Sequence, residues 1–303
     1  MKKIIIFLFT AAVSVSFKPF SANGAAEEKP GYVYTIIDNQ ATITGFSGEP
    51  TYIEIPETVD GCRVTEIRDN AFYECGALKH IDLPDTIEKI GHHSFYGCYS
   101  LESINIPDSV TEIGMGCFCG CEALSSVTIS CSVSRLPESC FRSCKKLKNI
   151  LLPENITEIG DFCFSGCTAL NSVILGDSLT TIGDCAFYMC SSMTSMYVPD
   201  SAKNIGMCSI GYIPTDSGAS TIEGFMILGK KKSAAKKYAD ENHLTFENAE
   251  DNVHAFAVQK ISGKRIPIPS VFIIAAASLI LVFSIFSWKS RRRSKKHRSS
   301  KTA

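Results

Sequence analysis

The chain has 303 residues, 45% of them hydrophobic and 20% charged, which is the make-up of a folded protein with room for one large domain or two ordinary ones. Its formal net charge of −1 hides a split: setting aside eight cations in residues 289–303 and three early lysines (Lys2, Lys3, Lys18), the remainder carries −12. A body that acidic offers no electrostatic footprint for nucleic acid.

Residues 1–26 read as a secretory signal peptide. Lys2 and Lys3 form a short positive start. Ile4 to Val15 is apolar apart from Thr10 and Ser14, and small residues at Ser21, Ala22, Gly24, Ala25 and Ala26 follow where a signal peptidase would cut. Residues 31–63 read as an N-terminal cap with a partial repeat. Tyr34 to Ile43, turning at Asp38-Asn39, is predicted to be a hairpin lid. Tyr52 to Val59 is an incomplete copy of the repeat unit that begins at Val64, offset from it by the extra loop Asp60-Gly61-Cys62-Arg63.

Residues 64–201 carry the strongest signal. Six segments, beginning at Val64, Ile87, Val110, Val133, Ile156 and Leu179, follow one another every 23 residues. Written beneath one another they hold one residue type per column. One column is Ile67, Ile90, Ile113, Leu136, Ile159 and Ile182; another is Phe72, Phe95, Phe118, Phe141, Phe164 and Phe187; a third is Cys75, Cys98, Cys121, Cys144, Cys167 and Cys190. One such unit buries too little apolar surface to offset the entropy of ordering its own backbone, so units must stack, and each column becomes an internal ladder. The segment x-Ile-x-Leu-Pro alternates inward and outward and is predicted to be a short strand. Stacking then builds a parallel sheet along one face. Gly91, Gly114, Gly160, Gly183 and Gly206 are predicted to mark a second corner at positive φ.

The pattern Leu78-x-x-Ile81-x-Leu83 fits the leucine-rich-repeat strand. The wider pattern, Ile-Gly-x-x-x-Phe-x-x-Cys-x-x-Leu-x-x-Ile-x-Leu-Pro, resembles the BspA-like leucine-rich repeats of bacterial surface proteins, from about Tyr32 to Phe246. The resemblance implies an α/β-class leucine-rich-repeat solenoid, right-handed and β-rich, with a parallel sheet on one face and a mostly irregular convex side. It also supplies the expectation of adhesion at a cell surface.

Residues 202–247 read as a degenerate repeat and C-terminal cap. Ala202 to Ile210 starts a seventh copy, Phe225 to Gly229 is predicted to be a strand, Lys232 to Asn242 a helix, and Leu244 to Phe246 a last strand. Residues 248–269 read as a linker. Residues 270–288 read as a transmembrane helix: no charge occurs from Ile266 to Trp288, and a helix from Val271 to Trp288 would span roughly 27 Å. Residues 289–303 hold four Lys and four Arg without an acid and read as a basic cytoplasmic tail, which places the ectodomain outside a single-pass membrane anchor.

No phosphate loop, nucleophile elbow, zinc-helix motif or dinucleotide fingerprint occurs, and the six histidines do not recur between copies, so solvated surface is the expectation for them. No catalytic, cofactor or metal residue is expected. The fourteen cysteines read as small buried groups, because Cys117, Cys140 and Cys163 share a column with Ala71, Ser94 and Ala186. Bridges between neighbouring turns in an oxidising medium stay open, with Cys185 and Cys208 the best-placed pair. The column Asp85, Asp108, Cys131, Glu154, Asp177, Asp200, followed by Thr86, Ser109, Ser132, Asn155, Ser178 and Ser201, is expected to cap turns.

Function falls to the outward strand residues. One outward column is His80, Ser103, Ser126, Asn149, Ser172, Ser195; the next is Asp82, Asn105, Thr128, Leu151, Ile174, Tyr197, and it turns from polar to apolar along the chain. Leu151, Ile174 and Tyr197, with Asn149 and Thr128 beside them, are the candidate contact patch for an extracellular protein or glycan. Coverage of that patch by Tyr212 to Thr221 is the alternative. A non-enzymatic surface-binding protein is the expected function, and a membrane-proximal scaffold or sensor is its rival.

Overall fold

A computed structural model describes residues 31–249; the segments read as signal peptide, transmembrane helix and basic tail, and all but the first two residues of the segment read as linker, lie outside the described residues. Strands β1 (Tyr32–Ile37) and β2 (Gln40–Phe46) pair antiparallel across Asp38-Asn39, where both φ are positive (51° and 62°), the turn whose twist suits a two-residue hairpin. After β3 (Tyr52–Glu54), β4 (Thr58–Val59) and β5 (Cys62–Ile67) form a second hairpin. Each following turn of chain gives two short strands: β6 (His80–Asp82) and β7 (Lys89–Ile90), β8 (Ser103–Asn105) and β9 (Glu112–Ile113), β10 (Ser126–Thr128) and β11 (Arg135–Leu136). The same pairing continues with β12 (Asn149–Leu151) and β13 (Glu158–Ile159), β14 (Ser172–Ile174) and β15 (Thr181–Ile182), β16 (Ser195–Tyr197) and β17 (Asn204–Ile205). The end is β18 (Tyr212–Thr215), β19 (Gly218–Thr221), β20 (Met226–Gly229), α1 (Ala234–Glu241) and β21 (Thr245–Asn248).

Two parallel ladders run along the stack. The front one contains β3-β6-β8-β10, β12-β14 and β16-β20-β21 as hydrogen-bonded segments. The second contains β5-β7-β9 and β11-β13-β15-β17, where the sequence suggested only a corner. The remaining side is made of turns, and it is more regular than expected. The N–H groups of Asn70, Phe72 and Glu74 donate to the carbonyls of His92, Ser94 and Tyr96 in the next turn, and Ser139, Phe141 and Ser143 repeat the pattern onto Asp161, Cys163 and Ser165. The body is therefore a β-solenoid, and among the described residues its helical content is α1 alone. None of the described helices is long and apolar enough to cross a membrane.

The phenylalanine column explains why one residue type repeats. Phe72, Phe95, Phe118, Phe141, Phe164 and Phe187 stack with centroids 5.2–5.5 Å apart and planes within 10° of parallel. All six are fully buried. A parallel offset stack at the rung spacing needs a ring in every turn, since one missing ring orphans the faces of two others. Ile210 takes the place of the ring in the seventh turn and ends the stack against α1, where its N–H donates to the Tyr238 hydroxyl at 3.0 Å.

The corner glycines do not serve the purpose the sequence suggested. Gly91, Gly114, Gly160, Gly183 and Gly206 are not at positive φ. They are needed because the preceding turn comes too close: a Cβ on Gly114 would lie 2.3 Å from the His92 nitrogen. The left-handed positions come two residues later, at Asn70, His93, Gly116, Ser139, Phe162, Cys185 and Cys208, with φ of 50–61°. At the far end, β21 runs through Asn248 and the Ala249 N–H donates to the Gly229 carbonyl, so the cap extends two residues into the segment read as linker.

Candidate partner-binding face

From β3 to β16 each front strand is three residues long, with its middle residue inward and its flanking residues outward. That alternation, set by the pleat, gives two outward columns. Register places Glu54 beside Asp82, Asn105 beside Thr128, Leu151 beside Ile174, Tyr197 beside Leu228, and Leu228 beside Glu247. The second column thus reads acidic, then polar, then apolar through Leu151, Ile174, Tyr197 and Leu228, and closes on an acid. Leu151 is 56% exposed. Ile174, Tyr197 and Leu228 are half-buried, and Thr128 and Asn149 are exposed beside them. The structure therefore keeps the predicted residues on one face, with the exposure concentrated at Leu151.

Sequence reasoning missed Leu228 and, in the adjoining column, Met226, which pairs with Ser195. The insertion carrying β18 and β19 breaks the 23-residue period there. The strand was legible, but its register with β16 was not. That same insertion is the segment expected to fold over the patch. Instead it forms the β18–β19 hairpin, closed at its base by Ile222 N–H to the Gly211 carbonyl, and is bonded to the turn side through Met189 N–H to the Tyr212 carbonyl.

Electrostatics differ between the two ends of the face. At the N-terminal end the Tyr52 hydroxyl donates to Asp82 at 2.6 Å, and that hydrogen bond is the main cause pushing the Tyr52 pKa up to about 12. Toward the C-terminal end, burial first, then Asp177 and Asp200, raise the pKa of Tyr197. Asp200 in turn pairs with Lys230 at 3.6 Å.

The acidic column caps turns only in places. Asp108 Oδ1 accepts the Cys131 N–H at 3.2 Å and the Ser132 hydroxyl donates to the Asp108 carbonyl, but the buried hydroxyls of Thr86, Ser109 and Ser201 have no hydrogen-bond partner. Regular capping occurs instead at the glycine corner. Asp69, Asp161 and Asp184 accept the N–H of His92, Asp184 and Met207, and His92 Nδ1 accepts that of Met115 at 2.9 Å. His92 is therefore a structural acceptor rather than idle surface, and His93 packs edge-on to Tyr96 at 5.8 Å.

Cys117 and Cys121 are buried in separate columns while Cys119 is half-exposed on a third. No group of three or more His, Cys, Asp or Glu among the described residues is arranged to hold a metal ion.

A profile of the BspA type leucine rich repeat region matches residues 65–194 and 146–212, in six copies. Among solved structures, a leucine rich cell surface protein from Faecalibacterium prausnitzii A2-165 is 28% identical, with a TM-score of 0.53 over 67% of this chain and 62% of that one. The T. pallidum leucine rich repeat protein is also 28% identical, with a TM-score of 0.54 over 58% of this chain and 83% of that one. A leucine-rich repeat protein from Eubacterium ventriosum is 26% identical, with a TM-score of 0.51 over 58% of this chain and 46% of that one. The chain thus spans less than two thirds of the F. prausnitzii protein. No curated protein matches it. With its repeats matched in six copies and stacked at the 23-residue period, residues 65–212 are a BspA-type leucine-rich-repeat region.

Proposed function

We propose that this protein is a non-enzymatic surface receptor or adhesin, exported and held in the cell membrane by residues 270–288, that grips a protein or glycan partner with its front face. The observation that carries the reading is the apolar run Leu151, Ile174, Tyr197 and Leu228, with Met226 beside it, on a sheet face whose outward residues from His80 to Thr128 are polar. Apolar side chains ringed by polar ones on a rigid sheet suit a desolvated contact centre with a wet rim. The F. prausnitzii relative is described as a cell surface protein, which supports the location.

The test is a pull-down with the purified 27–269 fragment, wild type against Ile174→Lys. The expected result is a specific partner with the wild type, lost in the variant, while the thermal midpoint stays near wild type. A large drop in midpoint would show instead that Ile174 belongs to the core.

A second reading, a membrane-proximal scaffold for envelope proteins, is favoured by where the patch lies. It occupies the last turns of the solenoid, near the end from which the chain leaves. A linker of about 21 residues reaches at most ~70 Å, which would keep the patch close to the membrane. Antibody to the ectodomain that labels intact cells supports the adhesin; labelling only after the wall is removed supports the scaffold.

A further inference from the structure

One pair of neighbouring cysteines in the same column lies outside the sealed core. Cys185 and Cys208 occupy the same column of consecutive turns, and the N–H of Cys185 donates to the Met207 carbonyl at 2.9 Å, which holds those turns side by side at this corner. Column neighbours in such a ladder stand about 4.8 Å apart, inside the roughly 4.4–6.8 Å between Cα atoms that a disulfide spans. Both residues have the same left-handed backbone, with φ of 52° and 50°. The thiols are close enough that Cys208 is, after burial, a cause of the raised pKa of Cys185.

No other pair of neighbouring cysteines in one column has both members partly open to solvent among the described residues. Nine cysteines are sealed in the core, whereas Cys185 and Cys208 are partly open to solvent. Among the other open cysteines, Cys119 lies between Tyr96 and Arg142 in its column, and Cys131 between Asp108 and Glu154. Cys75 faces Cys98, whose buried thiol donates to the Phe72 carbonyl. The neighbouring Met207 is 72% exposed, so small reagents reach this corner.

We propose that Cys185 and Cys208 are a thiol–disulfide modification site, closing into a cross-link that locks the seventh turn onto the sixth when a low-molecular-weight disulfide is present. The thiolate of one cysteine attacks the reagent; its S–S bond breaks, a mixed disulfide forms, and one reagent thiol leaves after taking a proton. The second cysteine, losing its own proton, attacks the mixed disulfide and releases the other reagent thiol as the protein S–S bond forms. Two cysteine thiols are oxidised and one reagent disulfide is reduced to two thiols. The seventh turn carries Leu228 and Met226, so the lock acts on the end of the front face, although the site stands whether or not that face binds a partner.

The test uses the full chain, purified reduced in detergent and incubated with oxidised glutathione, then alkylated, digested with trypsin and mapped by mass spectrometry. Lys203 separates the two cysteines, so the cross-link joins peptides from either side of it. The expected result is a Cys185–Cys208 linked peptide as the main product, absent in Cys185→Asn and in Cys208→Asn. Asparagine is the chosen replacement because it tolerates left-handed backbone and Asn70 already holds this column at φ 61°. The oxidised wild type should also melt on the order of 5 °C above the reduced one, a gap both variants lose. Cys208 left fully alkylatable, stalled as the glutathione mixed disulfide, or linked to a core cysteine would overturn the proposal. The wild-type peptide map decides this even where a variant fails to fold.

Discussion

The thiol of Cys144 donates to the carbonyl of Phe118, 26 residues upstream, at 3.3 Å, and the same bond recurs from Cys98 to Phe72, Cys121 to Phe95, Cys167 to Phe141 and Cys190 to Phe164. The cysteine column is thus a row of weak donors as well as small fillers. Cys144→Ala removes both and should cost about 1–3 kcal/mol, whereas Cys144→Ser keeps a donor and should cost less. Ser94 already shows a hydroxyl at home in the core, donating to the Gly91 carbonyl at 2.6 Å. Urea unfolding of the two variants checks the order. If serine is the worse replacement, the column is kept for apolar volume alone.

Burial raises the core thiol pKa values, that of Cys98 from its ordinary 9.0 to about 12 and those of Cys121 and Cys140 well above 9.0. In the unfolded chain these thiols ionise near pH 9; in the fold they stay protonated. Above that pH the unfolded chain binds fewer protons than the fold, so stability falls. Stability should be flat in this respect below about pH 9 and drop as pH rises toward 12. Urea midpoints measured from pH 7 to pH 11 test this, and a profile level to pH 11 would show that the thiols do not control alkaline unfolding.

Phe141 stacks on Phe118 at 5.4 Å and on Phe164 at 5.5 Å. Phe141→Ala should destabilise by about 3–5 kcal/mol and lower the thermal midpoint by on the order of 10 °C, because the gap strips contacts from the turns on both sides. A fall of only a degree or two, read by calorimetry, would mean that the rings pack independently.

The two kinds of glycine predict opposite sensitivities. Gly114→Ala drives a Cβ into the His92 backbone and should cost more than about 2 kcal/mol. Gly61 has φ of +79° and open space, with nothing within 4 Å, where a Cβ would stand, so Gly61→Asn, which tolerates that φ, should stay within about 0.5 kcal/mol of wild type. Chemical denaturation of both variants checks the contrast.

The stacking itself was legible because like residues recur at a fixed spacing, and a ladder demands that. Phe118 and Cys144 could be placed in the core from the columns alone. The purpose of the corner glycines was not legible, since close approach and positive φ both call for a missing Cβ and only the backbone of His92 distinguishes them. The candidate face was half legible. Leu151 and Ile174 follow the period, but Leu228 lies beyond the β18–β19 insertion, where sequence spacing no longer reports which residues are neighbours. The role of His92 was hidden because Asp69, Asp161 and Asp184 do the same job with a different side chain.

If the front face, and not the turn side, meets the partner, a photo-crosslinking amino acid should capture it from one side of the solenoid alone. The probe is placed at Leu151, and separately at the exposed Tyr99 on the turn side, and irradiated on intact cells. A discrete adduct is expected from position 151, lost with Leu228→Lys, and none from position 99. Adducts from position 99 alone, or an adduct from position 151 that survives Leu228→Lys, would refute binding through the front face.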